Sequence, residues 1–567
     1  MKKKIIVSSI VIVFALAAMY MIFGTNFLDL PEYEVWRQTI SLDGDIEEGD
    51  MYFNVEDNHV YANIDWIQNH SVADISWDHK NEVLTYYDGR NLYRFYKDGT
   101  ARKNQETIEF SQPIVKKSGQ DIFISTQFLE TKELYMFEYQ KDLNRLIVYE
   151  TSTIDNIKRA TKNMRVRSSN SYMSEAIDLI AENEIYKVIT NGEWKEVVSA
   201  RGKKGYVNEN ALDTKGFFKY MRRIGKLDVP IGIENIRVAE VETPYENDKR
   251  DSLINMTWNH FVSKTPKSTQ LKAQPGIDVV SPTWFSLREN LSIRDIGTMD
   301  YMNWAKKNKY EVWILFANGF DPKRTSDLVN DSLKREKVIE EVVKKTLNYG
   351  AKGINIDFEN VYYKDSKMLT QFVKELYARA KAKGLVLSMD VTFISESENW
   401  SKCYDRKELH KYLDYMVIMA YDEYWAGRKE AGPVASIPWV ENGVEKFLQE
   451  VPSEKIILGA PFYSRLWKEN QKTGEITSVA YTMKKVEEFV KKNKVNVVFD
   501  EKNKLNYARL EYKGVLYQLW IEDFKSINQR IEIIKNRNLK GFASWRKGFE
   551  KQEVWSYIDQ KLKTSDK

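Results

Sequence analysis

One cysteine in 567 residues, Cys403, leaves this chain no intrachain disulfide. Histidine is nearly as scarce, at five. His59, His70 and His79 are scattered without ligand spacing, so no metal site is expected of them. Charge of one sign is lacking too. The 86 basic and 82 acidic residues nearly cancel, and a net +4 is far from the dense basic field of a nucleic-acid binder. Long apolar runs are missing after the first one, so no second membrane span is expected. What remains, 30% charged and 43% apolar, is a folded chain long enough for several domains.

The one apolar run stands at the start. "MKKK" precedes the uncharged stretch Ile5–Phe23, which as a helix nearly matches a hydrocarbon core of about 30 Å. The three lysines favour a cytoplasmic N-terminus with the bulk of the chain outside. Because the run continues past the small residues of "ALAA", residues 1–27 read as an uncleaved single-pass anchor, with a cleaved signal peptide as the alternative. The expected location is the cell membrane with the C-terminal bulk extracellular, or secretion to a wall or spore.

The next stretch hides a repeat. "VYANIDWI" at Val60–Ile67 and "IFISTQFL" at Ile122–Leu129 lie 62 residues apart. The same offset carries "ISWDHKNEVL" at Ile75–Leu84 onto "FEYQKDLNRL" at Phe137–Leu146. Residues 31–152 thus read as a duplicated α+β unit. It resembles the N-terminal domain of bacterial copper amine oxidases, without implying a copper site, since only one copy carries the histidines. Residues 154–213 read as short strands split by polar turns, with Asn191-Gly192 a hairpin signal. The "RVR" strand and the closing "GYV" resemble a bacterial SH3-like barrel, in which Trp194 and Tyr206 are candidates for a groove. Residues 214–250 lead into the last domain.

From residue 251 to 560 the pattern changes to apolar runs alternating with amphipathic helices, the mark of a parallel α/β fold. Strands are predicted at Leu253–Trp258, Ile277–Phe285, Glu311–Asn318, Gly353–Glu359, Leu385–Thr392, Tyr415–Asp422, Lys455–Phe462 and Gly541–Trp545. Eight strands argue for a (β/α)8 barrel, with a small α+β lobe inserted between Phe462 and Gly541. A doubly wound sheet is the weaker alternative, because no glycine-rich phosphate loop follows the first strand.

In such a barrel the working groups gather at the carboxyl ends of the strands. Here those ends carry Trp284, Asn318, Asp357, Glu359, Asp390, Tyr421, Asp422 and Trp545. Aromatic faces among carboxylates and an amide suit a sugar-lined cleft. In "GINIDFE", Asn355, Asp357 and Glu359 recur at every second residue and so share one inward face, with Glu359 nearest the mouth. Two stacked carboxyls resist carrying two charges, which makes one of them a general acid. A conventional glycosidase needs a second carboxylate about 5–9.5 Å across the cleft. On residue pattern alone, Asp390 or Asp422 remains open for that place.

"GINIDFE", with "SPTWF", "VWILFANGFDP", "SMDVT", "MAYDEYW", "GPVASIPWV", "GAPFYSRLW" and "GFASWRKG", closely resembles glycoside hydrolase family 18, the chitinase-like family, over residues 252–549. The likeness is to its bacterial spore and cell-wall branch, which acts on N-acetylglucosamine in peptidoglycan. It implies a retaining, substrate-assisted mechanism without cofactor or metal. Glu359 would be the proton donor, Asp357 would orient the 2-acetamido group, and Tyr421 would hold its oxygen. Trp545 would floor the sugar site. Trp284, Asn318, Asn355, Asp390 and Asp422 are the further substrate-binding candidates. The family pattern has an aspartate where this chain has Asn355, which here is expected to hydrogen-bond Asp357. The partner expected is peptidoglycan or another N-acetylglucosamine polymer. The alternatives are a wall-binding surface protein that does not cut, and a structural or signalling protein working through its front modules.

Overall fold

The computed structural model describes residues 38–208 (apart from 43, 57–58, 71–72, 132–134, 142–143, 151–155, 183 and 200), 250, and 252–563. The run Ile5–Phe23 and residues 214–249 lie outside them. Among the described residues no helix is long and apolar enough to cross a membrane. The chain divides into two compact units, the second taking the C-terminal part of the chain together with the short segments 78–83 and 89–92.

The first unit is rich in β-structure. At the 62-residue offset the same sequence of elements recurs. His59–Asn63 leads into helix Ile64–Asn69, and Asp121–Ser125 leads into helix Thr126–Glu130. Asn63 and Ser125 occupy matching positions, and each caps its helix by accepting backbone N–H groups. The two strands pair antiparallel, Phe123 opposite Asn63. Ile67, Leu84, Phe128, Leu129 and Leu146 meet in one apolar core. Residues 157–207 form a six-stranded antiparallel sheet around Met164, Val166, Tyr186 and Val197. Asn191-Gly192 lies in the turn between strands Ile185–Thr190 and Lys195–Val198.

The second unit is a closed barrel of eight parallel strands. They are β1 (Ile254–Asn259), β2 (Val279–Pro282), β3 (Glu311–Ala317), β4 (Gly353–Asp357), β5 (Val386–Val391), β6 (Tyr415–Met419), β7 (Ile456–Pro461) and β8 (Gly541–Trp545). Each pairs with its sequence neighbours, and β1 closes on β8. The strands are buried on both faces, so alternate residues feed two cores. Met256, Trp258, Trp313, Leu315, Tyr415 and Val417 fill the inside. Ile314, Ile356, Leu387 and Ile418 face the helices. Large inward rings need missing ones beside them. A Cβ at Gly353 would lie 2.9 Å from the Trp313 ring and 2.8 Å from the Val386 carbonyl oxygen.

Two details differ from the sequence reading. The Ile277–Phe285 run is not one strand: β2 stops at Pro282, and Phe285–Leu287 pairs separately with β3. β4 ends at Asp357, so Glu359 lies beyond the ladder. The inserted lobe is a five-stranded antiparallel sheet, Tyr463 to Ile521, with helix Met483–Lys492 packed on it.

Candidate active site

Once β4 has ended, side-chain hydrogen bonds take over the work of the ladder. Asn318, just past β3, donates through Nδ2 to the Glu359 carbonyl at 2.7 Å and accepts the Glu359 N–H at 3.2 Å. Its remaining capacity goes to Thr325 Oγ1 and the Phe320 N–H, at 2.8 and 3.0 Å. The Tyr404 hydroxyl donates to the Phe358 carbonyl at 2.8 Å. Residue 359 is thereby fixed without a strand. Asn360, with φ of 52°, then turns the chain away in a left-handed conformation that asparagine tolerates.

The Asp357 and Glu359 carboxyls hydrogen-bond each other. Each residue is half-buried. Burial pushes Asp357 up to about 7, against the lowering effect of its bond to Glu359. Glu359 is held well above the ordinary carboxyl range by burial, then by the charges of Asp357 and Asp422 and by the shared hydrogen bond. The same bond acts in opposite directions on the two groups, so Asp357 ionises first and Glu359 keeps the proton. Such a pair is an acid poised beside an anion.

Beneath them lies a buried polar layer. Asp390 Oδ2 accepts from Trp258 Nε1 at 3.0 Å and Asn355 Nδ2 at 2.8 Å. Asn355 also reaches Ser281 Oγ at 3.4 Å and accepts from Ser388 Oγ at 2.8 Å. Burial, and then the charge of Asp357, push Asp390 well above its ordinary value.

The walls are aromatic. Tyr421 and Trp545 stack with centroids 6.4 Å apart, and Trp258 meets both edge-on. Tyr421 and Trp545 are half-buried. Asp422, exposed and with φ of 61°, accepts from Tyr463 Oη at 2.7 Å and from Arg465 Nη2 at 3.1 Å. Those two partners belong to the first strand of the inserted lobe.

Four of the nine expected site residues sit elsewhere than at a sugar surface. Trp284 is only 1% exposed and packs between Tyr301 and Tyr349 outside the barrel, because β2 has already ended. Asn318 is fully buried, with its polar atoms spent on backbone and Thr325. Asn355 and Asp390 are buried in the layer below, and the partner of Asn355 is Asp390 rather than Asp357. Asp357, Glu359, Tyr421, Asp422 and Trp545 are the five brought together. Trp258, Tyr404, Tyr463 and Arg465 were missed. The tryptophan closing "LINMTW" and the polar pair inside "PFYSRLW" were the available signals. Among the described residues no cluster of His, Cys, Asp or Glu is arranged to hold a metal ion.

The profile of glycosyl hydrolases family 18 matches residues 257–549. The chain belongs to that family. Among its relatives, this family 18 hydrolase is 23% identical over 294 residues to the uncharacterized glycosylase YvbX of Bacillus subtilis (strain 168). That match covers 50% of this chain and 84% of YvbX. It is 24% identical to the cortical fragment-lytic enzyme of the same organism, over 41% of this chain and 55% of the relative. The chain thus spans little more than half the length of that second relative. Among solved structures, the spore cortex-lytic enzyme SleL of Bacillus megaterium QM B1551 superposes with a TM-score of 0.51 at 19% identity, over 68% of this chain and 90% of that one. At that identity the likeness concerns the fold.

Proposed function

We propose that this family 18 hydrolase cleaves β-1,4 linkages of an N-acetylglucosamine-containing cell-wall polymer, peptidoglycan in the first place, with retention of configuration and with the substrate's own acetamido group as nucleophile. One observation carries the reading. Glu359 has an anion beside it, Asp357, and neither remaining acidic candidate is free to act from across the cleft. Asp390 is buried and bonded to Trp258 and Asn355, and Asp422 is tied to Tyr463 and Arg465. A glycosidase with one acid and no facing carboxylate needs its nucleophile from the sugar.

In this scheme Glu359 protonates the glycosidic oxygen as the acetamido oxygen attacks C1. Asp357 accepts the acetamido N–H and balances the oxazolinium charge. Tyr421 donates to the acetamido oxygen, and Trp545 stacks under the ring. Water then attacks C1 from the face the leaving group left, and the Glu359 carboxylate takes its proton. The names of a relative, a cortical fragment-lytic enzyme, and of a solved neighbour, a spore cortex-lytic enzyme, lend support to a wall substrate. The front modules, read as copper amine oxidase N-terminal-like (31–152) and SH3-like (154–213), would hold the wall. The segment 1–27 would tether the chain to the outer face of the membrane.

The test is incubation of the purified chain with peptidoglycan and with N-acetylglucosamine oligomers, with products identified by mass. Cleavage is expected after N-acetylglucosamine, falling at least about a thousandfold in Glu359→Gln. Oligomers stripped of their acetyl groups should be nearly inert. Equal turnover of acetylated and deacetylated oligomers overturns the substrate-assisted scheme. Binding without any cleavage favours the non-catalytic surface protein instead.

A further inference from the structure

Below the cleft, two carboxyl oxygens are left without partners. Asp357 Oδ1 and Asp390 Oδ1 are both buried and accept no hydrogen bond from any described group. The strands that carry them run side by side. Parallel register pairs Asn355 with Ser388 and Ile356 with Met389, so the next step brings Asp357 level with Asp390, both facing inward. An enclosed carboxylate oxygen with no donor is costly, and two as neighbours cost more. A single proton between them would satisfy both.

The rest of the layer says which oxygen carries that proton. The Trp258 indole N–H can only donate, and it donates to Asp390 Oδ2. The Asn355 amide, fixed by Ser388, donates to the same oxygen. Oδ2 is therefore an acceptor twice over, which leaves Oδ1 to hold a proton. Once Asp357 has ionised it is not the holder, because its hydrogen bond with Glu359 favours the Asp357 anion. We propose that Asp390 is a positioning residue kept as the neutral acid, whose Oδ1–H donates to Asp357, so that Asp357 works as one anion between two protonated carboxyls.

The groups around the pair are consistent with this. Glu359 lies beyond β4, Tyr404 comes from the β5–β6 connection, and Tyr421 and Asp422 follow β6. Tyr463 and Arg465 face Asp422 from the lobe, and His260 and Arg546 flank Trp545. The cation with a described bond to a carboxylate here, Arg465, serves Asp422 rather than Asp390. Ionising Asp390 would put a second negative charge beside Asp357. The consequence reaches the chemistry. When Glu359 gives up its proton and Asp357 turns to the acetamido N–H, the Asp390 donor still neutralises the buried side of Asp357.

The inference rests on the roles given above to Asp357 and Glu359, but one arm of its test needs no turnover. Infrared difference spectra are taken of the full chain at about pH 9, where Asp357 is ionised, Glu359→Gln against Glu359→Gln/Asp390→Asn. A carboxylic-acid C=O band belonging to residue 390 is expected. A pair of carboxylate bands instead overturns the proposal, whether or not the chain cleaves anything. The second arm is the acid limb of kcat/KM on N-acetylglucosamine oligomers. Removing a donor from Asp357 raises its pKa, so Asp390→Ala moves the limb up by about half a unit or more. Asp390→Asn, which keeps a donor, holds the limb in place. A downward shift in both variants means that Asp390 was an anion, and an unmoved limb in folded Asp390→Ala means a packing role only. Either result ends the proposal. Near-ultraviolet circular dichroism identifies a variant that has not folded, in which case the infrared arm decides.

Discussion

Asp357 spends folding stability to be an anion where it stands. Its carboxyl is pushed up to about 7 by burial, whereas in the unfolded chain it ionises near 4. The folded state therefore holds a proton that the unfolded state has released, and stability is lost as pH rises between those values. Asp357→Asn removes the titration. Its melting temperature should draw ahead of wild type from pH 4.5 to 7.5 and stay level above that, by several degrees, while activity is abolished. Thermal scans across that range check it, and a constant gap would mean that Asp357 is not the titrating group. The same residue shows what a sequence can disclose. The every-second-residue spacing of Asn355, Asp357 and Glu359 put the acid and its neighbour on one face. It could not say that Asn355 turns to Asp390, because that choice depends on Ser281, Ser388 and Trp258 arriving from three other strands.

At the scale of elements, the eight runs predicted as strands correspond to β1–β8 within a few residues, since strands buried on both faces advertise themselves as unbroken apolar runs. Their ends were less legible. The Ile277–Phe285 run reads as continuous and so places Trp284 at the mouth, yet β2 breaks at Pro282 and the ring turns out toward the helices. No local pattern distinguishes those two outcomes, because both bury a tryptophan. The outer shell also contains charge that the apolar pattern concealed. Arg335 on helix Ser332–Tyr349 donates through Nε and Nη2 to Glu375 on helix Ser366–Lys381, and both side chains are buried. Glu375→Ala strands the guanidinium in the core and should cost about 3–5 kcal/mol. Denaturant unfolding should show it as an earlier midpoint for the C-terminal domain. A change below about 1 kcal/mol would mean that the pair is solvated.

For the whole molecule, the proposal joins an acid-bearing barrel to front modules that hold the wall. A full chain carrying Glu359→Gln should still sediment with insoluble peptidoglycan, and should stay bound because it cannot cut its way free. Loss of sedimentation would mean that wall contact depends on catalysis rather than on the modules. The inserted lobe has a consequence of another kind. Tyr463 and Arg465 grip Asp422, and the charge of Asp422 helps keep Glu359 protonated. The lobe is therefore coupled to the alkaline limit of the reaction as well as to the shape of the cleft. Exchanging it for the lobe of a relative would transplant a working pH along with a surface, and two hydrolases with the same acid and the same barrel could be suited to different walls by that exchange alone.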